Sequence, residues 1–249
     1  MAVEIAWLGH ATVLIELDGA RVLTDPVLRR RVGPLLRYAA LPGQEEIGEL
    51  DAVLLSHLHA DHADLPSLRR VAGSAQVLAP RGAAAWLARR GIRHVNELGS
   101  GDETTVGPLT LSAVHAVHEG RRRPFGHEAA AIGFVLRGSA SVYFPGDTDL
   151  FAGMADLSGG VDVALLPVWG WGPNLGPGHL DPARAAEAAA VLSPRVAIPI
   201  HWGTYALPRP FGRPEESERR AREFVELAAR EAPGVEVRLL RPGERTSVA

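Results

Sequence analysis

From Asp51 to Leu65 the chain reads Asp-Ala-Val-Leu-Leu-Ser-His-Leu-His-Ala-Asp-His-Ala-Asp-Leu, and the reading of this stretch decides the fold. Asp51 to Leu55 is a short apolar run of the kind found in a strand buried on both faces. Three of the ten histidines, with an aspartate, then fall between His57 and His62. His57 and His59 are two residues apart, so on extended backbone leaving the strand their imidazoles point the same way. Asp61 and His62 follow in the turn, and Asp64-Leu65-Pro66 starts a helix with Asp64 as its cap. Neutral imidazole and carboxylate suit zinc, iron or manganese. The window offers more ligands than one tetrahedral ion with an open position needs, which points to two ions. Against this stands a chance gathering of histidines in a polar surface turn.

The downstream sequence weakens that alternative. Three further strand ends carry ligand-type residues: His115 and His118 after Leu109 to Val114, Asp147 in Phe144-Pro145-Gly146-Asp147-Thr148, and His201 in Ile198-Pro199-Ile200-His201-Trp202-Gly203-Thr204. Glycine or proline beside Asp147 and His201 lets the backbone turn sharply there. Four strand ends aimed at one cleft make a site.

Around these segments the chain organises itself simply. Strands are expected at Val3 to Leu8, Thr12 to Leu17 and Arg21 to Thr24, an opening antiparallel meander. Pro26 to Gly48 shows no clean period and reads as a long loop, a lid or binding segment. Beyond it, strands at Ala75 to Ala79, Leu109 to His115, Ala131 to Leu136, Ser141 to Phe144, Val161 to Leu166 and Arg195 to Ile200 alternate with helices. Those helices are Arg81 to Arg90, the Asp181-capped run to Leu192, and Pro214 to Glu231, where Ala221, Phe224, Val225 and Ala228 recur at helical spacing. No repeat at a fixed period and no long linker occurs, so residues 1–249 are expected to form one domain of two strand-rich halves between helices.

Composition sets the chemical limits. At 249 residues the chain can bury a full core. With no cysteine, disulfides, thiolate metal sites and a cysteine nucleophile are excluded. A net charge of -3 and the lack of a basic extension argue against a dedicated nucleic-acid partner, although, with no lysine, all 26 Lys/Arg cations are arginine. No run of about 18 apolar residues and no basic-then-apolar leader is present, so no transmembrane segment is expected and the default reading is a soluble cytoplasmic protein.

The order His57-x-His59-x-Asp61-His62, then His118, Asp147 and His201, resembles the metallo-β-lactamase superfamily. Trp7-Leu8-Gly9-His10-Ala11-Thr12, Leu23-Thr24-Asp25-Pro26 and Ile200-His201-Trp202-Gly203-Thr204 are similar to the branch containing N-acyl-phosphatidylethanolamine phospholipase D and L-ascorbate-6-phosphate lactonase. The resemblance spans roughly Trp7 to Tyr205. It implies an α/β fold, a four-layer αββα sandwich, with a dinuclear centre at one edge. It implies further that His57, His59 and His118 hold one divalent ion, that Asp61, His62 and His201 hold the other, and that Asp147 bridges them. Zinc is the first choice of metal, with manganese or iron as alternatives. His115 stands where the branch often has proline and is the reserve for His118. His179, ahead of the Asp181-Pro182 helix start, corresponds to a histidine near the branch's active site, a candidate for substrate contact or leaving-group protonation, the alternative being a loop histidine that only packs.

The expected chemistry is hydrolysis. A hydroxide shared by two cations is a nucleophile near neutral pH, and the cations polarise a carbonyl or phosphoryl oxygen. Asp61 is a candidate to orient the attacking water, with Asp25 and Ser56 as partners of the ligand imidazoles. Arg29-Arg30-Arg31 and Arg121-Arg122-Arg123 are candidates for an anionic substrate, or simply solvated faces. Trp169, Trp171 and Trp202 are candidate pocket walls or core, and Leu35-Leu36 to Leu41 could admit a lipid tail. The Gly170 to Gly176 segment lacks the helix start that a phosphate loop requires. The substrate expected is a small molecule, anionic or lipid-like: a phosphodiester, lactone or related small ester. The alternatives are a metallo-nuclease of the same superfamily and a non-catalytic metal-binding module.

Overall fold

The computed structural model describes residues 2–121, 126–172 and 174–249. The first half runs β1 (Val3–Gly9), β2 (Thr12–Leu17), β3 (Ala20–Thr24), β4 (Arg31–Val32), β5 (Leu35–Arg37) and α1 (Gln44–Ile47). It continues through β6 (Ala52–Leu54), α2 (Leu65–Val71), β7 (Gln76–Pro80), α3 (Ala84–Ala88) and β8 (Val95–Leu98). The second half opens with β9 (Glu103–Val106), β10 (Leu109–His115), β11 (Ile132–Arg137) and β12 (Ser141–Phe144). After a 3-10 turn (Ala152–Leu157) come β13 (Val163–Pro167), α4 (Pro182–Leu192), β14 (Val196–Ile200), β15 (Tyr205–Ala206), α5 (Pro214–Glu231), β16 (Glu236–Val237) and β17 (Arg245–Val248).

Two seven-stranded mixed sheets result, ordered β17-β1-β2-β3-β6-β7-β8 and β16-β14-β13-β12-β11-β10-β9. In each, four strands pair antiparallel and the rest continue parallel. The apolar strands are buried on both faces for a reason visible in β6. Ala52 and Leu54 join the main core between the sheets, while Val53 and Leu55 pack with Leu68 of α2 and Trp86 and Leu87 of α3. Period-two alternation thus feeds two apolar layers from one strand. On the second sheet, α4 and α5 supply Ala185, Ala189, Phe224 and Ala228 to the main core. Helix, sheet, sheet and helix make the expected αββα layers. Helix starts behave as read: Asp64 accepts from Ser67 N at 3.1 Å and Asp181 from Arg184 N at 2.9 Å.

Several expectations are corrected. The segment 26–48 is not an open loop: β4 and β5 form a small sheet with β15, directly after His201. Leu35 is buried with Val27, Val32 and Tyr205, whereas Leu41 is exposed. The helix expected over Arg81 to Arg90 is confined to α3, because Ala83 offers no side-chain cap and the chain before it turns at Gly82. The short edge strands β8, β9, β16 and β17 carry too little apolar pattern to be read from sequence. No helix among the described residues is long and apolar enough to cross a membrane.

Candidate metal centre

The carboxyl ends of β1, β3 and β6 in one sheet, and of β10, β12, β13 and β14 in the other, meet at one edge of the sandwich. Their following residues form overlapping clusters in which ligand-type atoms lie within 4.8 Å of one another: His57, His59 and His118; His10, Asp61, His62 and His201; Asp25, His57 and His62; and His118, Asp147 and His179. Every residue expected to hold metal is therefore in this cluster. His118 belongs to it and His115 does not: His115 is exposed, its ring edge-on to Phe151.

The local backbone is built to aim these groups. Among non-glycine residues with positive φ are His10 (56°), Asp25 (29°) and His201 (65°), an unfavourable conformation that surrounding packing must hold. Gly146 has φ 63°, and a Cβ there would overlap Ser56, so only glycine brings Asp147 alongside the His57 turn.

Hydrogen bonding fixes which ring nitrogen is bare in four of the histidines. His62 Nδ1 lies 2.7 Å from Asp25 Oδ2, His201 Nδ1 2.7 Å from the Trp169 carbonyl, and His118 Nδ1 2.9 Å from the Gly178 carbonyl. These oxygens only accept, so each Nδ1 carries the hydrogen. The Ser56 hydroxyl donates to Asp25 Oδ2 at 2.5 Å and therefore accepts from His57 Nδ1 at 3.0 Å. In their neutral forms these four imidazoles present lone pairs on Nε2. His62 Nε2 and His201 Nε2 are only 3.1 Å apart, a contact of two lone pairs unless a cation lies between them. Buried His57 Nε2, His59 Nε2 and Asp147 Oδ1 have no hydrogen-bond partner. Unpartnered buried acceptors of this kind are rare and costly. The donor set fits divalent metal ions.

Electrostatics agree with that fit. Burial, with the neighbouring imidazoles, holds His57 well below its ordinary value and lowers His59 to about 4; burial takes His201 to about 3. These rings stay neutral, the ligand form. Burial also opposes charge on His62, but Asp147 at 3.2 Å and Asp25 outweigh it and raise its pKa. Burial would raise Asp147; His201 and His62 instead hold it well below the carboxylate range. Asp147 also lies 3.4 Å from His179 Nε2, and its carboxylate raises His179 against the effect of burial.

The remaining sequence candidates divide. Asp25 and Ser56 do hold ligand-type imidazoles. Trp202 is core, its ring 5.0 Å from that of Trp7, and not a pocket wall. Arg29 is committed to Asp64 at 2.6 and 2.8 Å, so the first arginine run does not offer three free cations. Arg121 pairs with Glu128, and Arg122 and Arg123 lie outside the described residues. His10 was missed as a site residue. Its ring stacks on His201 with centroids 3.8 Å apart and its Nε2 lies 3.3 Å from Asp61. The signal was present: like His201, His10 directly follows a strand.

An αββα sandwich with a histidine-rich, carboxylate-bearing edge defines a class, and comparison with known proteins identifies it. The model of the beta-lactamase superfamily domain matches residues 20–202. The chain is 31% identical to a UPF0173 metal-dependent hydrolase of Koribacter versatilis, over 98% of this chain and 97% of that protein. It is also 31% identical to N-acyl-phosphatidylethanolamine-hydrolyzing phospholipase D 1 of Caenorhabditis elegans over 81% of its own length, spanning 64% of the nematode protein. Igni18, a metallo hydrolase of Ignicoccus hospitalis, shares the fold with a TM-score of 0.73 at 22% identity, covering 100% of this chain and 99% of that one. The chain belongs to the metallo-β-lactamase superfamily, among its metal-dependent hydrolases.

Proposed function

We propose that the protein is a dinuclear hydrolase of a phosphodiester, lactone or related small ester. In this reading His57, His59 and His118 hold one divalent ion, Asp61, His62 and His201 the second, and Asp147 lies between them. The observation that carries it is the set of buried side-chain atoms without a hydrogen-bond partner, His57 Nε2, His59 Nε2 and Asp147 Oδ1, beside two close nitrogen pairs, His62 Nε2–His201 Nε2 and His59 Nδ1–His118 Nε2, each at 3.1 Å. When bound, two such ions supply a water of lowered pKa and Lewis-acid polarisation of the substrate oxygen. The chain's own residues do the rest. Asp25, Ser56 and the carbonyls of Trp169 and Gly178 hold the imidazole tautomers. His179 is half-buried, with Nδ1 donating to the Gly176 carbonyl at 3.0 Å and Nε2 toward Asp147. From this position a protonated His179 can hand the Nε2 proton to a leaving oxygen.

The choice of oxygen esters is supported by the nematode relative, named as a phospholipase D that hydrolyses N-acyl-phosphatidylethanolamine. Zinc suits the imidazole-rich donor set best. The test is elemental analysis of protein purified without added metal, with a screen of phosphodiesters, lactones, thioesters and nucleic acids on the same sample. Two equivalents and turnover of an oxygen ester are expected. His118→Ala should lose one equivalent while His115→Ala keeps both; one equivalent in the parent protein, or equal metal loss in the two variants, overturns the ligand assignment.

A further inference from the structure

The carboxylate of Asp61, a proposed ligand, is held by groups from two other strand ends. Its Oδ2 accepts from the indole Nε1 of Trp171 at 2.8 Å and lies 3.3 Å from His10 Nε2. Trp171 follows β13, between Gly170 and Gly172, and is 38% exposed. Trp171 also lines a pocket of about 320 Å³, with Trp169, Tyr205, Phe211, Arg213 and Ser217 among its walls. That volume is at the small end of the ligand-pocket range, about 300–1,000 Å³. None of the proposed metal ligands lines the pocket, and Trp171 is a wall side chain that hydrogen-bonds one of them.

We propose that Trp171 is a positioning and specificity residue: its N–H fixes the Asp61 carboxylate through Oδ2, in the orientation that would hold a metal, while its ring walls a subsite for an uncharged aromatic or short hydrocarbon part of the substrate. The inference rests on the dinuclear reading above. Two features favour an apolar occupant. Phe211 is 75% exposed at the pocket rim, a large apolar side chain left in water that a ligand would cover. Arg213, the cation on the pocket wall, lies 3.8 Å from Glu216, another wall residue, so the two charges offset each other. Holding Oδ2 with two donors also removes one freedom of Asp61: that oxygen is engaged by protein and does not serve as a free proton acceptor while the indole is in place.

Two variants separate the two roles. Trp171→Phe keeps the ring and removes the N–H; Phe211→Ala opens the pocket and leaves the Asp61 contact intact. On zinc-loaded protein, chelator competition should show one of two equivalents loosened roughly 10-fold or more in Trp171→Phe and neither in Phe211→Ala. Calorimetric binding of phenylphosphonate against methylphosphonate should favour the phenyl compound about 10-fold in the parent protein. That preference should persist in Trp171→Phe and vanish in Phe211→Ala. Unchanged zinc affinity in Trp171→Phe overturns the positioning role, and equal or absent binding of the two phosphonates overturns the subsite. A parent protein that holds fewer than two equivalents sinks the dinuclear reading instead, while two equivalents indifferent to Trp171→Phe sink only this inference.

Discussion

The two sheets follow one plan and divide the work of the site in opposite ways. Strand for strand, β17-β1-β2-β3-β6-β7-β8 corresponds to β9-β10-β11-β12-β13-β14-β16, antiparallel first and parallel after. His10 follows β1 as His118 follows β10, and Asp25 follows β3 as Asp147 follows β12. In the first sheet these positions support: Asp25 accepts from Ser56 N, Ser56 Oγ and His62 Nδ1, and His10 approaches Asp61. In the second sheet the same positions face inward as proposed ligands. After the first parallel strand the roles exchange. The β6 end carries His57, His59, Asp61 and His62, whereas the β13 end carries Trp169 and Trp171, which hold His201 and Asp61. Each half thus steadies ligands, and two of those contacts, Trp171 to Asp61 and His10 to His201, reach across to the other half. The two strand-end aspartates differ in their partners: Asp25 accepts from three donors, while Asp147 Oδ1 accepts no hydrogen bond.

The strongest way to break this comparison is to neutralise the two aspartates in turn. Asp147→Asn should abolish turnover, by roughly 10³-fold or more, about 4 kcal/mol in the barrier, with metal lost and folding nearly unchanged. Asp25→Asn turns an acceptor oxygen into an NH₂ that meets buried donors, and should lower stability by about 2–4 kcal/mol with a metal affinity 10- to 100-fold weaker. Chemical denaturation and metal titration of both variants decide the matter. If Asp25→Asn folds like the parent protein, or if Asp147→Asn is the one that unfolds, the division between supporting and ligating carboxylate fails.

Much of this site was legible because metal ligation requires specific residue types at strand ends, and strand ends are marked by apolar runs that stop at glycine, proline or a helix cap. His57 to His62, Asp147 and His201 satisfy both conditions. What stayed hidden depends on contacts between distant segments. His10 sits in a Gly-His turn whose importance comes from stacking on a residue nearly 200 positions away. Trp171 could be counted as a wall, but not as a donor to Asp61, since indole direction is set by the loop's path. Arg29 looked free because its partner, Asp64, was already spent as a helix cap. The short strands β4, β5 and β15 stabilise one another by pairing across the chain, which no local pattern encodes.

A smaller effect sharpens the comparison through charge. His57 and His59 in the first half and His201 in the second are held below the unfolded value of about 6.5, the last two at about 4 and about 3. Between pH 6.5 and those values the unfolded chain binds protons that the folded chain refuses. Unfolding therefore gains as pH falls, and stability rises with pH. His62 works in the opposite sense: its raised pKa contributes stability that is complete below 6.5 and is lost as pH climbs through the folded value. Chelator-stripped protein should lose melting temperature as pH drops from 6.5 toward 4, at about 1.4 kcal/mol per unit for a fully buried imidazole such as His201. His201→Asn should flatten that slope by one group. A flat profile in the stripped parent protein would mean that the cluster opens to water without metal.

The smallest effect is expected where the corresponding hairpins of the two sheets touch. In the β2–β3 turn, Asp18 Oδ2 accepts from Ser139 N and Oδ1 from Ser139 Oγ, both at 2.5 Å, and Ser139 lies in the β11–β12 turn. These bonds lower the Asp18 pKa, so the tie holds above the carboxylate range and loosens as pH falls through it. Asp18 is solvated, however, and an exposed tie adds little beside the shared core of β1, β2, β10 and β11. Asp18→Ala should lower the melting temperature only slightly and leave metal content unchanged. A loss of bound metal in this variant would show that the surface tie, and not the apolar layer between the sheets, sets the spacing at which the ligands of one half meet those of the other.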